Sequence, residues 1–417
     1  MITPNYLAKI LVETITGGEV NYPKIININK RDLATKGDLS FQLKLDFWRG
    51  YIDIKSEGFK HAKNILEYYK YLKHEYSTHQ HDSTNIEQIL EVFENDINKQ
   101  LNCTTGKEHN HVVMKISNDF VLVNYNRSNA AYLVIKTAIK KGSEYGMKNE
   151  PKNIMLSVDY DSDSEMTNQR LKLQKQVSEN LLKCQSCELQ KRKNITNYIF
   201  TVKSEGYTEE NHIKYFCGAV LNSKKKKERD LKFSTYLERK IEKIKYFNAQ
   251  RISDVYINKD NFEKAILRIA NASINYELLS TKHDSPVIIN QSNNVDRFIK
   301  EASFVLYNNS RINSILDKYS KLVKDNQFFQ IKPIEKINSF EKTMDDDSWS
   351  LVYNYLMKYS DILESLVITK PKLKVKIHLL WSFISNLCHD FSRYYQRNRI
   401  LLRGTEFNNQ MIDIMTE

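Results

Sequence analysis

The sequence predicts an α+β protein whose strands lie in the first half of the chain. The stretch "HVVMKISNDFVLVNY", residues 111–125, alternates as paired strands do, whereas apolar residues recur at helical spacing from about Leu231 onward. The composition agrees, because 417 residues with 41% hydrophobic and 27% charged side chains are typical of a folded protein of two or three domains.

The first 110 residues contain helix-like stretches separated by polar connections. "MITPNYLAKILVETITGG" is predicted to form a short amphipathic helix ended by Gly17 and Gly18, without the basic start and long apolar core of a signal peptide. "EGFKHAKNILEYYKYLKHEY" and "IEQILEVFENDINKQL" are predicted to be longer helices, with a polar loop from Ser77 between them.

Residues 111–222 are expected to alternate between strands and helices. After the strand pair joined by "SND", "AAYLVIKTAIKKG" predicts a helix that ends at Gly142 with lysines in its last turn. "GSEYGMKNEPKN" is a linker candidate, and "IMLSVDY" a buried strand followed by an acidic turn and a polar helix. "NYIFTV" and "IKYFCGAVL" predict two more strands.

From about Leu231 to the end the pattern is helical, interrupted by "STKHDSPVIINQSNN" and by a connection near Pro333. We therefore expect an α+β region over residues 1–222, a helical connection over 223–300 and a helical bundle over 301–417.

Charge and cysteine content narrow the possible partners. The net charge is +12, which can indicate a polyanionic partner, although 48 of the 63 basic residues are lysines spread through an Asn-, Ile- and Tyr-rich chain. No apolar run is long enough to span a bilayer, so no membrane is expected. Five irregularly spaced cysteines do not indicate a disulfide framework and favour a cytoplasmic location.

Motifs for metal or phosphate chemistry are weak. "CQSC" could supply Cys184 and Cys187 to zinc together with His212 and Cys217, but ordinary free thiols are favoured. "HQHD" and "HNH" lack a carboxylate-rich partner set, and the acidic "DYDSDSE" from Asp159 lacks the pattern of a calcium loop. The charge run "SKKKKERD" predicts a solvated loop, with phosphate contact as the alternative. No metal or cofactor is expected.

The most informative stretch is "HLLWSFISNLCHDFSRYYQRNRIL", from His378 to Leu401. Its apolar residues recur every three or four positions and predict one buried helix face, made of Ile377, Leu380, Ile384, Leu387, Phe391 and Tyr395. Four of the fifteen arginines in the chain follow within eleven residues: Arg393, Arg397, Arg399 and Arg403. Arginine beside the adjacent Tyr394 and Tyr395 favours contact with phosphates and unpaired bases.

This helix is similar to the last long helix of the DALR anticodon-binding domain of arginyl-tRNA synthetases. "FVLYNNSRINSILDKYSKL" resembles the opening helix of that domain, and "DDDSWSLVYNYLMKYSDILESLV" its next element. "AILRIANASINYELLSTKHDSPVIIN" resembles the segment leading into the domain, and "HIKYFCGAVLNSKKKKERDLKFSTYL" a degraded catalytic lysine loop. The resemblance covers about residues 210–415 and implies a degenerate synthetase-like α+β N-terminal region before an all-α DALR bundle.

Two departures from this family predict loss of catalysis. No His-x-Gly-His element precedes His212, and "KKKKERDLKFSTY" lacks the glycine of the lysine loop. Without such groups, the charge on a pentavalent phosphate cannot be stabilised. The resemblance therefore implies a non-catalytic adapter that binds arginine tRNA and recruits the methyltransferase that forms 3-methylcytidine in the anticodon loop.

The expected tRNA contacts are Arg393, Arg397, Arg399 and Arg403 on phosphates or loop bases, Tyr394 and Tyr395 by packing or stacking, and Asn308 and Arg311 flanking the loop. Two alternatives remain open, an arginyl-tRNA synthetase-like enzyme with unrecognised catalytic elements and a helical protein-interaction module. The chain stops at Glu417, soon after "FNNQMIDIM" begins what resembles the final helix of the domain.

Overall fold

A computed structural model describes most of the chain. The described residues are 2–18, 25–73, 85–106, 110–147, 153–185, 196–203, 207–209, 212–249, 259–289, 296–337, 340, 344–369, 372–398 and 400. They contain both helices and strands, which confirms the predicted α+β class. None of the helices among these residues is both long and apolar enough to cross a lipid bilayer.

The helices of the described residues, in chain order, are α1 (Pro4–Thr16), α2 (Leu33–Lys36), α3 (Glu57–His61), α4 (Ile65–Leu72), α5 (Ile86–Thr105), α6 (Arg127–Lys141), α7 (Glu165–Gln185), α8 (Phe233–Ala249), α9 (Lys259–Leu279), α10 (Arg297–Lys324), α11 (Asp346–Leu351), α12 (Tyr359–Leu366) and α13 (Ile377–Arg397). Three 3-10 turns, Leu45–Trp48, Gly142–Glu144 and Ile334–Lys336, and a π-helical segment, Val352–Met357, complete the helical structure described.

The strands are β1 (Asn27–Ile28), β2 (Leu39–Gln42), β3 (Val112–Ser117), β4 (Phe120–Tyr125), β5 (Ile154–Val158), β6 (Thr196–Thr201), β7 (Tyr207–Glu209), β8 (His212–Phe216), β9 (Val220–Leu221), β10 (Val287–Ile288), β11 (Val367–Ile368) and β12 (Lys374–Val375). The last three are two-residue strands in the region after Leu231, for which the sequence predicts no strands, and β10 lies within the predicted interruption of its helical pattern.

The chain divides into two compact units. Unit 1 contains Met1–Tyr145 and Phe329–Asp361, and unit 2 contains Gly146–Phe328 and Ile362–Leu402. The boundaries expected after residues 222 and 300 both lie within unit 2. One physical reason is that β9, at residues 220–221, pairs in parallel with β10 at residues 287–288, which ties the two sides of the first boundary together.

Unit 1 is built on a four-stranded antiparallel sheet in the order β1-β2-β4-β3. Strands β3 and β4 form the predicted hairpin, with Ser117 opposite Phe120 and Val112 opposite Tyr125. Helices α1, α4 and α5 contribute fully buried side chains to the same hydrophobic core as the sheet, including Leu7, Leu66 and Phe93. Burial alternates along the edge strand β3, whereas the central strands β2 and β4 are buried at consecutive residues.

Asp38, just before β2, joins the sheet to the later part of unit 1. Its carboxylate accepts hydrogen bonds from the indole Nε1 of Trp349 at 2.7 Å and from the backbone N–H of Tyr125 at 2.8 Å. Its carbonyl oxygen accepts one from the Tyr353 hydroxyl at 2.7 Å. Burial raises the pKa of the Asp38 carboxyl above its ordinary value, against these hydrogen bonds, which lower it. The core of unit 1 thus depends on residues more than 300 positions apart.

Lys358, which follows the π-helical segment, is a buried cation in the same unit. Its ammonium group donates to the carbonyl of Asn29 at 3.0 Å and to Oδ1 of Asn354 at 2.9 Å, and lies 3.8 Å from the centre of the Tyr353 ring. Burial and, to a lesser extent, the charge of Lys30 lower the pKa of Lys358 to about 7, against the carboxylates of Asp38 and Asp361, which raise it.

Unit 2 contains a second four-stranded sheet, in the order β5-β6-β8-β7. Strands β5, β6 and β8 are parallel, and the short β7 pairs antiparallel with β8. Neighbouring parallel strands need a long crossover connection, which α7 provides between β5 and β6. This is the order of strand, polar helix and strand that the sequence predicts for residues 154–201.

Arg170 on α7 hydrogen-bonds to two connections of the chain, one that follows β8 and one that follows α9. It is fully buried, and its guanidinium donates to the carbonyls of Gly218, Leu278, Lys282 and Ser285 and to the hydroxyl of Thr281. Gly218 permits this arrangement, because a Cβ there would lie 2.3 Å from the backbone of Ser285. Burial lowers the pKa of Arg170 to about 10, so the group remains charged at neutral pH.

Helices α8, α9 and α10 meet at a buried group of charges. Lys240 forms an ion pair with Glu277 at 2.9 Å and another with Asp296, the residue that caps the N-terminus of α10. The Tyr236 hydroxyl donates to Glu277 at 2.7 Å. Because each of these charged groups has a partner, the beginning of α10 is fixed to the two preceding helices.

Candidate nucleic-acid interface

Two helices of unit 2 carry the predicted contact residues that the structure describes. α10 provides Asn308 and Arg311, and α13 provides Arg393, Tyr394, Tyr395 and Arg397. The two helices are in contact, through a hydrogen bond from Ser385 to Glu301 at 3.0 Å and a pair of rings, Phe304 and His389, 4.5 Å apart. Arg399 and Arg403 lie outside the described residues.

Arg311 lies at the centre of the contact between these helices. Its guanidinium carbon lies 4.6 Å from the centre of the Tyr307 ring and 4.8 Å from that of Tyr395. It also donates to the Tyr307 hydroxyl at 2.8 Å and to the Ser392 hydroxyl at 3.3 Å. The planar guanidinium thus joins a ring on each helix, a geometry that lysine cannot reproduce. We call Tyr307, Arg311 and Tyr395 the tyrosine–arginine cluster.

Asn308 lies on the inner side of this cluster. Only 1% of the residue is exposed, its amide donates to the Phe304 carbonyl at 3.0 Å, and its Oδ1 accepts from Arg311 at 3.5 Å. In this structure Asn308 orients Arg311, and its side chain is not presented at the surface where the sequence led us to expect it beside the loop.

Arg393 and Arg397 both lie on the exposed side of α13. The side chain of Arg393 is 63% exposed and forms an ion pair with Asp390 one turn earlier. An exposed pair of this kind is weak, so a phosphate can compete for the guanidinium. The four-residue spacing places the two arginines on one face of the helix.

The two tyrosines of α13 differ in their surroundings. The ring of Tyr395 contacts Arg311, and its centre lies 6.2 Å from that of the Phe391 ring. Tyr394 is half-buried, and its backbone carbonyl accepts the capping hydrogen bond from the N–H of Asn398 at 2.8 Å. The predicted apolar face is only partly covered. Of its six residues Ile377 is buried, and Leu380, Ile384, Leu387, Phe391 and Tyr395 are half-buried.

Tyr307 is the residue that the sequence reasoning missed. It is 56% exposed, with Arg311 against its ring. Its position four residues before Arg311 places both on one helix face, so the helical spacing itself contains the signal. An exposed ring backed by a cation is a platform on which an unpaired base can stack.

The zinc hypothesis gains no support among the described residues, which contain no group of three or more metal-ligand side chains. Cys187 lies outside them. Burial raises the pKa of the Cys217 thiol to about 12 and also raises that of Cys184. The acidic turn instead contacts a lysine, with Asp161 2.6 Å from Lys227.

Comparison with known proteins identifies the region around the tyrosine–arginine cluster. Residues 305–414 match the family model of the DALR anticodon binding domain. The chain is 28% identical over 146 residues to DALR anticodon-binding domain-containing protein 3 of Danio rerio, covering 33% of this chain and 26% of that protein. It is 31% identical over 144 residues to an arginine–tRNA ligase of Borreliella afzelii (strain PKo), covering 34% and 22%. The matched parts are thus about a quarter of each relative's length.

A comparison of structures finds an arginyl-tRNA synthetase of Thermus thermophilus. The match covers 89% of this chain and 69% of that protein, with a TM-score of 0.33 and 11% sequence identity.

Proposed function

We propose that this protein binds tRNA through residues 305–414, which match the DALR anticodon binding domain. The chain is similar both to DALR anticodon-binding domain-containing protein 3 and to arginine–tRNA ligases. The tyrosine–arginine cluster is the observation that carries the proposal. It provides an exposed ring backed by a fixed cation, and α13 also carries two exposed arginines, Arg393 and Arg397.

In the proposed complex, each group has a separate role. Arg393 and Arg397 contact phosphates of the anticodon stem or loop, and Arg399 and Arg403 are proposed to extend that contact. Tyr307 stacks on an unpaired base, while Tyr394 packs beside the loop. Arg311 and Tyr395 hold the two helices together, and Asn308 fixes Arg311 from the inner side. Reading of unpaired loop bases and contact with phosphates are the general means of specific RNA recognition.

More specifically, we propose a cytoplasmic, non-catalytic adapter for arginine tRNA that recruits the methyltransferase forming 3-methylcytidine in the anticodon loop. The relatives named for arginine–tRNA ligation support the arginine tRNA, and those named as DALR-domain proteins support a role separate from ligation. The sequence supports a non-catalytic role, since it has no His-x-Gly-His element before His212 and no glycine in "KKKKERDLKFSTY".

The first test replaces Arg393 and Arg397 with glutamate and measures tRNA affinity across a salt series. Each lost phosphate contact lowers the slope of log K against log salt by about 0.7 to 0.9, so the slope is expected to fall by at least about 1.4. A matched control replaces Arg49 and Arg268. Arg49 is 65% exposed and pairs with Asp46 three residues before it, as Arg393 pairs with Asp390.

The outcomes separate the alternatives. If the Arg393/Arg397 variant binds tRNA as tightly as the control, the anticodon interface is refuted and a protein-interaction module is favoured. Arginine-dependent exchange of pyrophosphate into ATP by the purified protein would instead favour the synthetase-like enzyme.

Recruitment of the methyltransferase needs its own experiment. Arginine tRNA from cells lacking the protein is expected to lose 3-methylcytidine, measured by mass spectrometry of its nucleosides. Wild-type protein should restore the modification and the Arg393/Arg397 variant should not. Unchanged 3-methylcytidine in cells lacking the protein would exclude the adapter role and leave tRNA binding itself intact.

A further inference from the structure

The lysine run of the sequence forms an ordered hairpin turn in unit 2. The backbone N–H and carbonyl of Asn222 hydrogen-bond to Lys226 and Lys225 at 2.8 and 2.9 Å. Its side-chain Oδ1 accepts from the N–H groups of Lys224 and Lys226, both at 3.1 Å. Lys225 adopts the left-handed conformation, with φ of 58°. These contacts fix the path of the main chain through the turn.

Both sides of the hairpin are attached to the body of unit 2. Lys227 bridges to Leu221 across the hairpin, and its ammonium lies 2.6 Å from the carboxylate of Asp161 in the acidic turn before α7. The N–H of the buried Glu228 donates to the Val220 carbonyl at 2.9 Å, and its carboxylate accepts from the N–H of Leu231 at 3.1 Å. The turn is therefore anchored to unit 2 by the half-buried Lys227 and the buried Glu228.

The other three lysines of the run differ from Lys227 in exposure and in ion pairing. Lys224, Lys225 and Lys226 are all exposed, and within the described part of the chain none of them forms an ion pair. Asp161 is occupied by Lys227, and Asp163 lies 3.9 Å from Lys227 and 4.0 Å from Arg229. Three like charges held on one rigid turn repel one another, which a polyanion would relieve.

We propose that Lys224, Lys225 and Lys226 form a second RNA-binding surface, which contacts the sugar–phosphate backbone of the bound tRNA. The proposal rests on the proposed function, since tRNA is the polyanion it invokes. Lysine is a flexible point charge without the planar fork of arginine, so this surface adds affinity without reading bases. Because the turn is already ordered before binding, less conformational entropy is lost when it contacts RNA.

The test replaces all three lysines with alanine in the full chain. The control removes the same charge from exposed lysines of unit 1: Lys55, Lys115 and Lys140. The lysine-turn variant is expected to lower the slope of log K against log salt by about 2 to 3, and to weaken binding of different tRNAs by the same factor. With this lower slope, raising the salt from 50 to 200 mM weakens tRNA binding by the variant roughly 16- to 64-fold less than it weakens binding by the wild-type protein.

The second RNA-binding surface and the proposed function can be refuted separately. If wild-type protein binds tRNA and loses it on replacement of Arg393 and Arg397, while the lysine-turn variant keeps the slope of its control, the second surface is refuted alone. A lysine-turn variant with normal tRNA binding that no longer binds an acidic polypeptide, such as polyglutamate, also overturns the proposal. Absence of tRNA binding by the wild-type protein refutes the proposed function.

Discussion

Replacing the buried Lys358 with methionine is expected to remove a pH dependence of stability from unit 1. In the folded protein the pKa of Lys358 is about 7, whereas the amine has its ordinary value of 10.5 in the unfolded chain. Between these values the unfolded state binds a proton that the folded state has released. The free energy of unfolding therefore rises with pH in this window and is lowest when Lys358 is protonated, below pH 7.

The magnitude follows from the two pKa values. One pKa unit corresponds to about 1.4 kcal/mol, so full protonation of the buried amine costs at most about 5 kcal/mol. Between pH 7 and pH 8.5 the free energy of unfolding is expected to rise by about 1.5 kcal/mol. This range lies above the ordinary pKa of histidine and below the ordinary pKa of tyrosine, so neither type of side chain contributes much to the change.

The assay uses the positions of the three tryptophans. In a Trp381→Phe background the remaining two, Trp48 and Trp349, are both fully buried in unit 1, so their fluorescence in urea reports the unfolding of that unit. The matched control is Lys55→Met at an exposed position. Lys358→Met should abolish the rise with pH and Lys55→Met should retain it. A Lys358→Met variant that keeps the full rise would refute the reasoning.

The remaining predictions concern unit 2. Arg170→Met removes a charged donor from four carbonyls, so it should lower the free energy of unfolding by about 3 to 5 kcal/mol in urea titrations followed by circular dichroism. The exposed Arg268→Met should change it by less than about 0.5 kcal/mol. Arg311→Lys keeps the charge but loses both planar ring contacts, so it should weaken tRNA binding in a filter assay and cost about 1 kcal/mol of stability; unchanged values for both would contradict the role of the cluster. Tyr307→Ala should lose about 1 to 3 kcal/mol of tRNA binding free energy and Tyr307→Phe little, and equal losses would exclude stacking.

Local patterns predicted the regular elements of this protein well. The hairpin of β3 and β4, helix α6 ending at Gly142, and the strand–helix–strand unit from β5 to β6 were all visible, because each is longer than a few residues and strongly periodic. The short strands β1 and β2 were not, since two to four residues contain too little alternation. The segment from Glu57 to Tyr76 was expected to be one helix, but within its described part, which ends at residue 73, Ala62 is extended and Asn64 caps a new helix.

Long-range contacts explain most of what the sequence could not predict. The pairing of β9 with β10 and the five hydrogen bonds of Arg170 join residues far apart, and no local pattern contains them. In the candidate interface the arginines and tyrosines of α13 were identified from their clustering. The burial of Asn308 and the part of Tyr307 depend on how α10 meets α13, which spacing along one helix cannot specify.

The path of the chain through unit 1 has a consequence for folding during synthesis. Trp349 and Tyr353 complete a core whose sheet is formed by residues more than 200 positions earlier, so the sheet leaves the ribosome well before these partners do. Until then Asp38 lacks the indole and hydroxyl groups that hydrogen-bond to it in the finished unit. Unit 1 is therefore expected to reach its native core only after residues 146–328 of unit 2 have been synthesised.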